Sequence, residues 1–369
     1  MVDASLALSL LPDALRQRRA QAKTFKDLTY THYTDDFKHI PRGTFVFDQT
    51  VVFGYPHIGR VLALEAGIKA HFKAPFWAEE KINGYNVRIT QIQGQVIALT
   101  RGGFICPFTT DRLPDLMPLA IFQQHPELVV CAEVAGPDNP YLESSPPFIA
   151  KDVQLFVFDL MTQDRIGFLP QREKQVKIQH FGLPAVPLHG YFQPNEATKI
   201  AELILKLHRE RREGLVFKED SDRDHRAKYV TGSSCIDDLR VTSDNLLDLP
   251  PEYFINRLLR LSLFVEEHAL PATAELKQAL GGAFLDGLSA AMESYRSTHH
   301  VSKRFRCRFR HKESALTLLD HLKHSSRHIQ ILQHDLYQED GYFVLEFERI
   351  YPALTGMLGD LLAGRMIYD

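Results

Sequence analysis

Apolar residues along this chain recur with two different periods, and the switch between them sets the expected architecture. Runs rich in Val, Ile and Phe predict strands over Ala78–Thr90, Val96–Thr100, Leu128–Val134, Val153–Leu160 and Leu215–Lys218. Between the last two, Ile200, Leu203, Ile204 and Leu207 keep the spacing of an amphipathic helix. Ahead of them, a short helix is expected from about Pro12 to Gln21, with proline in its first turn, followed by strand character around Thr44–Val52. After Leu249-Pro250-Pro251 the pattern becomes mainly helical. There Leu258, Leu259, Leu261, Leu263, Phe264 and Val265 crowd one segment, too apolar to leave in water, which is read as core or subunit interface. Gly281-Gly282 and Asp340-Gly341 punctuate this half, and no internal repeat appears. The expected class is α+β: a small N-terminal domain (1–60), a mixed domain (61–240), a helical region (241–312) and a second helical domain (313–369).

Composition narrows the function. The chain has 369 residues, 44% hydrophobic and 24% charged, enough for two or three domains. A net charge of -3 excludes a strongly basic protein that coats nucleic acid without specificity, so any such contact must come from local patches. Cys106, Cys131, Cys235 and Cys307 have neither metal-ligand nor redox spacing and are read as reduced core thiols. The apolar stretch Leu6–Leu15 is broken by Pro12 and Asp13 and lacks the features of a signal peptide. No stretch is long enough to cross a membrane, and a soluble cytoplasmic protein is expected.

Several segments carry chemistry. Lys81-Ile82-Asn83-Gly84-Tyr85-Asn86-Val87-Arg88 places a lysine just before a glycine turn, with Asn86 and Arg88 on one strand face by alternation. A lysine becomes a nucleophile when desolvated or set beside other cations, and Ala74-Pro75-Phe76-Trp77-Ala78 is an apolar approach. Alone, Lys-x-x-Gly is weak, since about one or two copies arise by chance in a chain this long. Glu213-Gly214-Leu215-Val216-Phe217-Lys218 puts a carboxylate at one end of an apolar strand and a lysine at the other; Lys228 follows a polar loop. In a regular strand Glu213 and Lys218 would face opposite ways, so Glu213 is expected at the turn, with Gly214 bending the chain. Glu133 stands inside the apolar run Leu128–Val134, where carboxylates need partners. Phe156 and Phe158 offer an aromatic floor, and Arg101-Gly102-Gly103 an exposed guanidinium at a strand end. Each segment also has an ordinary reading as a turn, core residue or solvated charge.

In order, these pieces resemble the covalent nucleotidyltransferase superfamily of polynucleotide ligases and capping enzymes. Lys81-Ile82-Asn83-Gly84 is similar to motif I, Glu133-Val134-Ala135-Gly136 to motif III, and Phe158-Asp159 to motif IIIa. Glu213–Lys218 is similar to motif IV and Arg226-Ala227-Lys228 to motif V. Asn86 and the lead-in Phe53–Leu62 resemble the archaeal-type homodimeric ATP-dependent RNA ligases. Two positions depart from common patterns: Arg226, where ligases often have lysine, and Asn83, neither the Asp of DNA ligases nor the His of some RNA ligases.

The resemblance implies a nucleotidyltransferase (ATP-grasp-like ligase) domain of antiparallel sheets flanked by helices, and a homodimer. It implies an RNA repair enzyme that uses ATP and Mg²⁺ (or Mn²⁺) to join 5′-phosphate and 3′-hydroxyl RNA ends through a lysyl-AMP on Lys81. Glu80, Asn86, Arg88, Arg101, Glu133, Phe158, Lys218 and Lys228 are then expected to hold the nucleotide, and Glu213 the metal, with Asn86 in its water shell. Lys218 and Lys228 would hold the α-phosphate and favour the neutral amine, while Phe158 stacks on adenine. For RNA, the run Lys303, Arg304, Arg306, Arg308, Arg310, His311 and Lys312, interleaved with Phe305 and Phe309, suits a single-stranded backbone or is merely a solvated face. The competing readings are a DNA ligase, a capping-type guanylyltransferase, or a nucleotide-binding dimeric scaffold without catalysis.

Overall fold

A computed structural model describes residues 3–221, 223–325 and 330–366. Helix α1 (Ala4–Arg16) begins where the Asp3 carboxylate accepts the Leu6 N–H at 3.0 Å. It therefore starts well before Pro12, which lies inside it, and Arg18, at φ +56°, ends the helical course before Gln21. Strands β1 (Ala20–Phe25), β2 (Leu28–Tyr33), β3 (Phe45–Phe47) and β4 (Thr50–Val52) follow as an antiparallel sheet in that order. The strand character expected over 44–52 is thus two strands, folded back at Asp48 (φ +50°).

Two sheets form the central part. The chain runs through β5 (Gly59–Arg60), α2 (Leu64–His71), β6 (Phe76–Lys81), β7 (Tyr85–Ile92) and β8 (Gln95–Thr100). It continues through α3 (Pro107–Leu116), α4 (Ala120–Gln124), β9 (Leu128–Ala135), β10 (Gln154–Thr162) and α5 (Gln171–Phe181). Then come β11 (Leu188–Phe192), α6 (Ala197–Arg209), β12 (Gly214–Glu219), β13 (Arg226–Val230) and α7 (Gly232–Thr242). One sheet has the order β10-β9-β7-β8, the other β11-β6-β12-β13-β5, and all pairs are antiparallel except β13 with β5.

The run expected as one strand, Ala78–Thr90, is two strands in two sheets. Gly84 makes the crossover: a Cβ there would sit 2.4 Å from the Val134 carbonyl oxygen and 2.8 Å from Glu133 Cγ. Only glycine lets the chain pass this close, so Lys81 ends one sheet and Tyr85, just ahead of Asn86, begins the other. A cleft lies between them.

Helices α8 (Pro251–Glu267) and α9 (Ala274–Thr298) fulfil the helical expectation after residue 250. Leu261 and Phe264 of the crowded segment are buried, whereas Leu259 is 50% exposed. Beyond them stand β14 (Ser302–Phe309), α10 (Lys312–Ser325), β15 (Gln330–Glu339), β16 (Tyr342–Ile350) and α11 (Pro352–Leu362). The three strands form a sheet, β14-β16-β15, which the helical reading did not anticipate. Because β14 pairs with β16, the boundary expected at 312 falls inside this sheet. Asp340-Gly341, both at positive φ, form its hairpin turn. Among the described residues no helix is long and apolar enough to cross a membrane, and the four cysteines are free and buried.

Candidate active site

A cavity of about 310 Å³ opens between the two central sheets. Lys81 enters it from the end of β6, its Nζ 2.6 Å from Glu213 Oε1. Glu213 stands just before β12, where Gly214 at φ +151° brings the chain against the Tyr229 carbonyl; this is the bend the motif required. Strand β12 pairs with β6 so that Gly214 lies opposite Lys81. The other oxygen, Glu213 Oε2, is buried without a hydrogen-bond partner, and burial raises this carboxyl above its ordinary range.

From the facing sheet, Asn86 on β7 donates to Glu133 Oε2 on β9, its register partner. Burial pushes Glu133 up to about 8, against the pull of Lys81 and the Asn86 amide. Glu133 and Glu213 thus share Lys81 as a common counter-charge. Cations line the mouth. Arg101 is exposed, and Lys228 on β13 faces Arg60, Lys81 and Arg101; burial first, then these like charges, bring it down to about 8. At the inner end, Phe158 and Tyr55 stand with ring centroids 5.8 Å apart, beside Ile82, Phe168 and Val186. The cavity therefore has an aromatic end, a cationic mouth and one amine between them, which suits a flat base joined to phosphates.

The sequence has close parallels. A family model described as RNA ligase matches residues 74–230, and one described as the C-terminal region of the ligase Pab1020 matches 241–365. An uncharacterized protein of Methanocaldococcus jannaschii is 30% identical, over 86% of this chain and 83% of that one. Among solved structures, an Aquifex aeolicus protein provisionally described as an ATP-dependent DNA ligase is 48% identical, covering 98% of this chain and all of that one, with a TM-score of 0.95. An archaeal ATP-dependent RNA ligase is 27% identical, covering 97% of this chain and 96% of that one, with a TM-score of 0.88. The chain belongs to the archaeal-type RNA ligase family.

Of the residues the family motifs single out, Lys81, Glu80, Asn86, Arg101, Glu133, Phe158, Lys218 and Lys228 all line the cavity, and Glu213 holds the lysine at its edge. The side chain of Glu80 is engaged by His189 at 3.0 Å and Arg212 at 2.9 Å. Arg88 is not in the cavity. Its guanidinium is fully buried one layer behind Tyr55 and donates to the carbonyls of Val52, Phe53, Gly43 and Thr100. It ties the N-terminal sheet to β7 and β8 rather than meeting a phosphate.

Arg226, which stands where ligases often have lysine, binds Asp159 and, at 2.7 Å, Asp224. Lys218 is 2% exposed and sits in the same ionic cluster, 2.6 Å from Glu79 and 2.8 Å from Asp159. Glu79, Lys174, Tyr55 and Arg60 were not singled out from sequence. Tyr55 and Arg60 lie within the lead-in Phe53–Leu62 that carries the family resemblance, yet nothing in their spacing marks them. Much of the basic run that starts on β14 is paired with acids. Arg306 and Arg308 reach Asp138 and Glu339, Lys303 reaches Asp244, and Phe305 and Phe309 are buried. Its aromatics cannot stack on bases.

Proposed function

We propose that this protein is an ATP-dependent RNA ligase that joins 5′-phosphate and 3′-hydroxyl ends through a lysyl-adenylate on Lys81. The observation that carries the proposal is the Lys81 amine, oriented by Glu213 at 2.6 Å between the aromatic end of the cavity and its cationic mouth. In the first step a lone pair on Nζ attacks the α-phosphorus of ATP in line; an N–P bond forms, the α–β bridging P–O bond breaks, and pyrophosphate leaves through the mouth. A 5′-phosphate oxygen of RNA then displaces the lysine, giving an adenylylated end. Finally a 3′-hydroxyl attacks that 5′-phosphorus and AMP departs.

Each lining residue has a part in this. Phe158 and Tyr55 hold adenine, Glu133 takes the ribose hydroxyls, and Lys218, Lys228 and Arg101 neutralise phosphate charge. Glu80, tied by its side chain to His189 and Arg212, fixes the strand wall beside the base. A divalent cation, Mg²⁺ or Mn²⁺, fits next to Glu213: the unpartnered buried Oε2 and the oxygen of the Asn86 amide supply acceptors. Among the described residues no three acidic, His or Cys side chains form a cage, so phosphate oxygens and water would complete its shell. When bound, it offsets charge on the leaving pyrophosphate.

Incubation with ATP and a divalent cation is expected to add the mass of one AMP, and Lys81→Ala to abolish the adduct. An unmodified wild-type protein refutes the proposal. The 48% identical Aquifex protein favours DNA as the second reading. Sealing of 5′-phosphorylated single-stranded RNA against DNA decides between them, with RNA expected. A homodimer in a reducing cytoplasm completes the proposal. Ile255, at 61% exposure, and Leu259 on α8 leave apolar surface for a second subunit, and a monomer mass by light scattering would remove the dimer.

A further inference from the structure

In the nucleotide reading above, on which this inference rests, Lys218 must hand an N–H to phosphate, yet all three of its N–H bonds are committed inside the protein. They go to Glu79 Oε2 at 2.6 Å, Asp159 Oδ2 at 2.8 Å and the Phe158 carbonyl at 2.5 Å. Pulling an ammonium off two buried carboxylates is ordinarily prohibitive, because each acid is left charged and unpaired.

Here every group that accepts from Lys218 has a second donor, Glu79 through its other oxygen. Glu79 Oε1 receives Lys174 Nζ and the Gln171 amide. The Phe158 carbonyl receives Lys174 at 3.0 Å. Asp159 Oδ2 receives Arg226. Lys174, from helix α5, is 1% exposed and touches no other acid in the cluster. Three buried cations, Lys174, Lys218 and Arg226, thus surround two buried acids; Asp224, which also binds Arg226, is 43% exposed and screened by water.

We infer that Lys174 is a positioning residue that takes over Glu79 and the Phe158 carbonyl when Lys218 swings to the phosphate. It lets the cavity lend one cation to the ligand without leaving an acid bare, and it keeps the adenine floor at Phe158 fixed while it does so. Lys174 itself touches no substrate. Its crowding shows in its titration: burial and the neighbouring Lys218 bring it down to about 8, where a cation in surplus of its acids should be.

The test follows ATP dependence of adduct formation in Lys174→Met and in Glu79→Gln/Lys174→Met. In K174M, Glu79 depends on Lys218, so Lys218 is pinned. The KM for ATP is expected to rise at least about tenfold. The double variant removes the acid along with the cation and should return KM to within about twofold of wild type. A purely packing role predicts the reverse, with both variants impaired alike. A folded K174M with unchanged KM overturns the inference, and so does a double variant that folds but stays impaired. If K174M does not fold, the double variant decides alone, and its failure to fold also overturns the inference, since a neutral pair must be tolerated there. Wild-type protein that forms no adduct refutes the ligase reading itself, whereas wild-type adduct with an indifferent K174M refutes only the role of Lys174.

Discussion

Glu133 shows what the cleft costs the protein at the scale of one residue. Burial holds its carboxyl at about 8, above the 4.5 of a free side chain, so the folded state keeps a proton that the unfolded state has lost. Between those values the folded form binds more protons, and stability falls as pH rises through that window. Glu133→Gln is therefore expected to stabilise the fold at pH 8.5 by on the order of 1 kcal/mol, read as a higher melting temperature, with the gain fading toward pH 5. A variant whose gain over wild type is no larger at pH 8.5 than at pH 5 would reject this account. Asn86 and Arg88 show the limit of alternation. Both point to the same side of β7, as the two-residue period requires. What covers that side changes within two residues, from open cavity at 86 to Tyr55 and four carbonyls at 88. Depth along a strand depends on a distant segment, Gly43–Tyr55, and no local pattern encodes it. Arg88→Met should thus appear as lost stability, about 3–5 kcal/mol in chemical denaturation, because it leaves buried carbonyls without donors. A variant with wild-type stability and a raised KM for ATP would return Arg88 to the nucleotide.

Among elements, the strands of the central sheets were readable because their apolar runs are long and continuous. The turns that aim them were only half readable. Gly214 was expected to bend the chain behind Glu213, since a carboxylate and a lysine five residues apart cannot share a strand face. Gly84 was visible as a turn but not as a passage between two sheets, because its constraint is the Val134 carbonyl 50 residues away in sequence. Strand β15 escaped detection for a different reason. Ile331, Leu332, Leu336 and Tyr337 are spaced as on a helix, and a register shift between Gln333 and Leu336 is what makes that spacing fit a strand. A backbone constraint can be tested where it serves the site. Gly214→Ala places a Cβ 2.1 Å from the Tyr229 carbonyl at a φ of +151°. The β12–β13 pairing must open there, carrying Glu213 away from Lys81. The expected result is a loss of adduct formation of at least about a hundredfold, with about 1–3 kcal/mol of destabilisation. Retention of full adduct yield would show that the 2.6 Å contact between Lys81 and Glu213 is dispensable.

Across the whole molecule, the C-terminal sheet behaves as part of the wall behind the cleft. Its Phe305, Cys307, Phe309, Leu345 and Phe347 share one apolar core with Val87, Val130, Val134 and Leu155 of the central sheet. Polar groups lock the same junction. Arg349 donates to the carbonyls of Pro140 and Tyr141, Tyr351 to Glu143, and Arg306 to Asp138, all in the segment that leaves β9 just after Glu133. Arg112 is the centre of this lock. Its side chain, 3% exposed, holds Asp152 with two nitrogens, Asp115 at 2.8 Å, the Arg308 carbonyl at 3.1 Å and the ring of Tyr342 at 4.8 Å. Removing it leaves Asp152 without its ionic partner and Asp115 with Arg310 alone at the junction, so Arg112→Ala should cost about 3–5 kcal/mol. A shared core also means that the two parts unfold together. Trp77, the only tryptophan, lies on β6 in the sheet that carries Lys81, so its fluorescence reports the cleft, whereas far-ultraviolet circular dichroism reports the whole chain. In wild type and in Arg112→Ala, the two signals are expected to give one coincident denaturant transition, displaced to lower concentration in the variant. Separate transitions would mean that the C-terminal sheet is a free module, and that Glu133 is positioned by the central sheets alone.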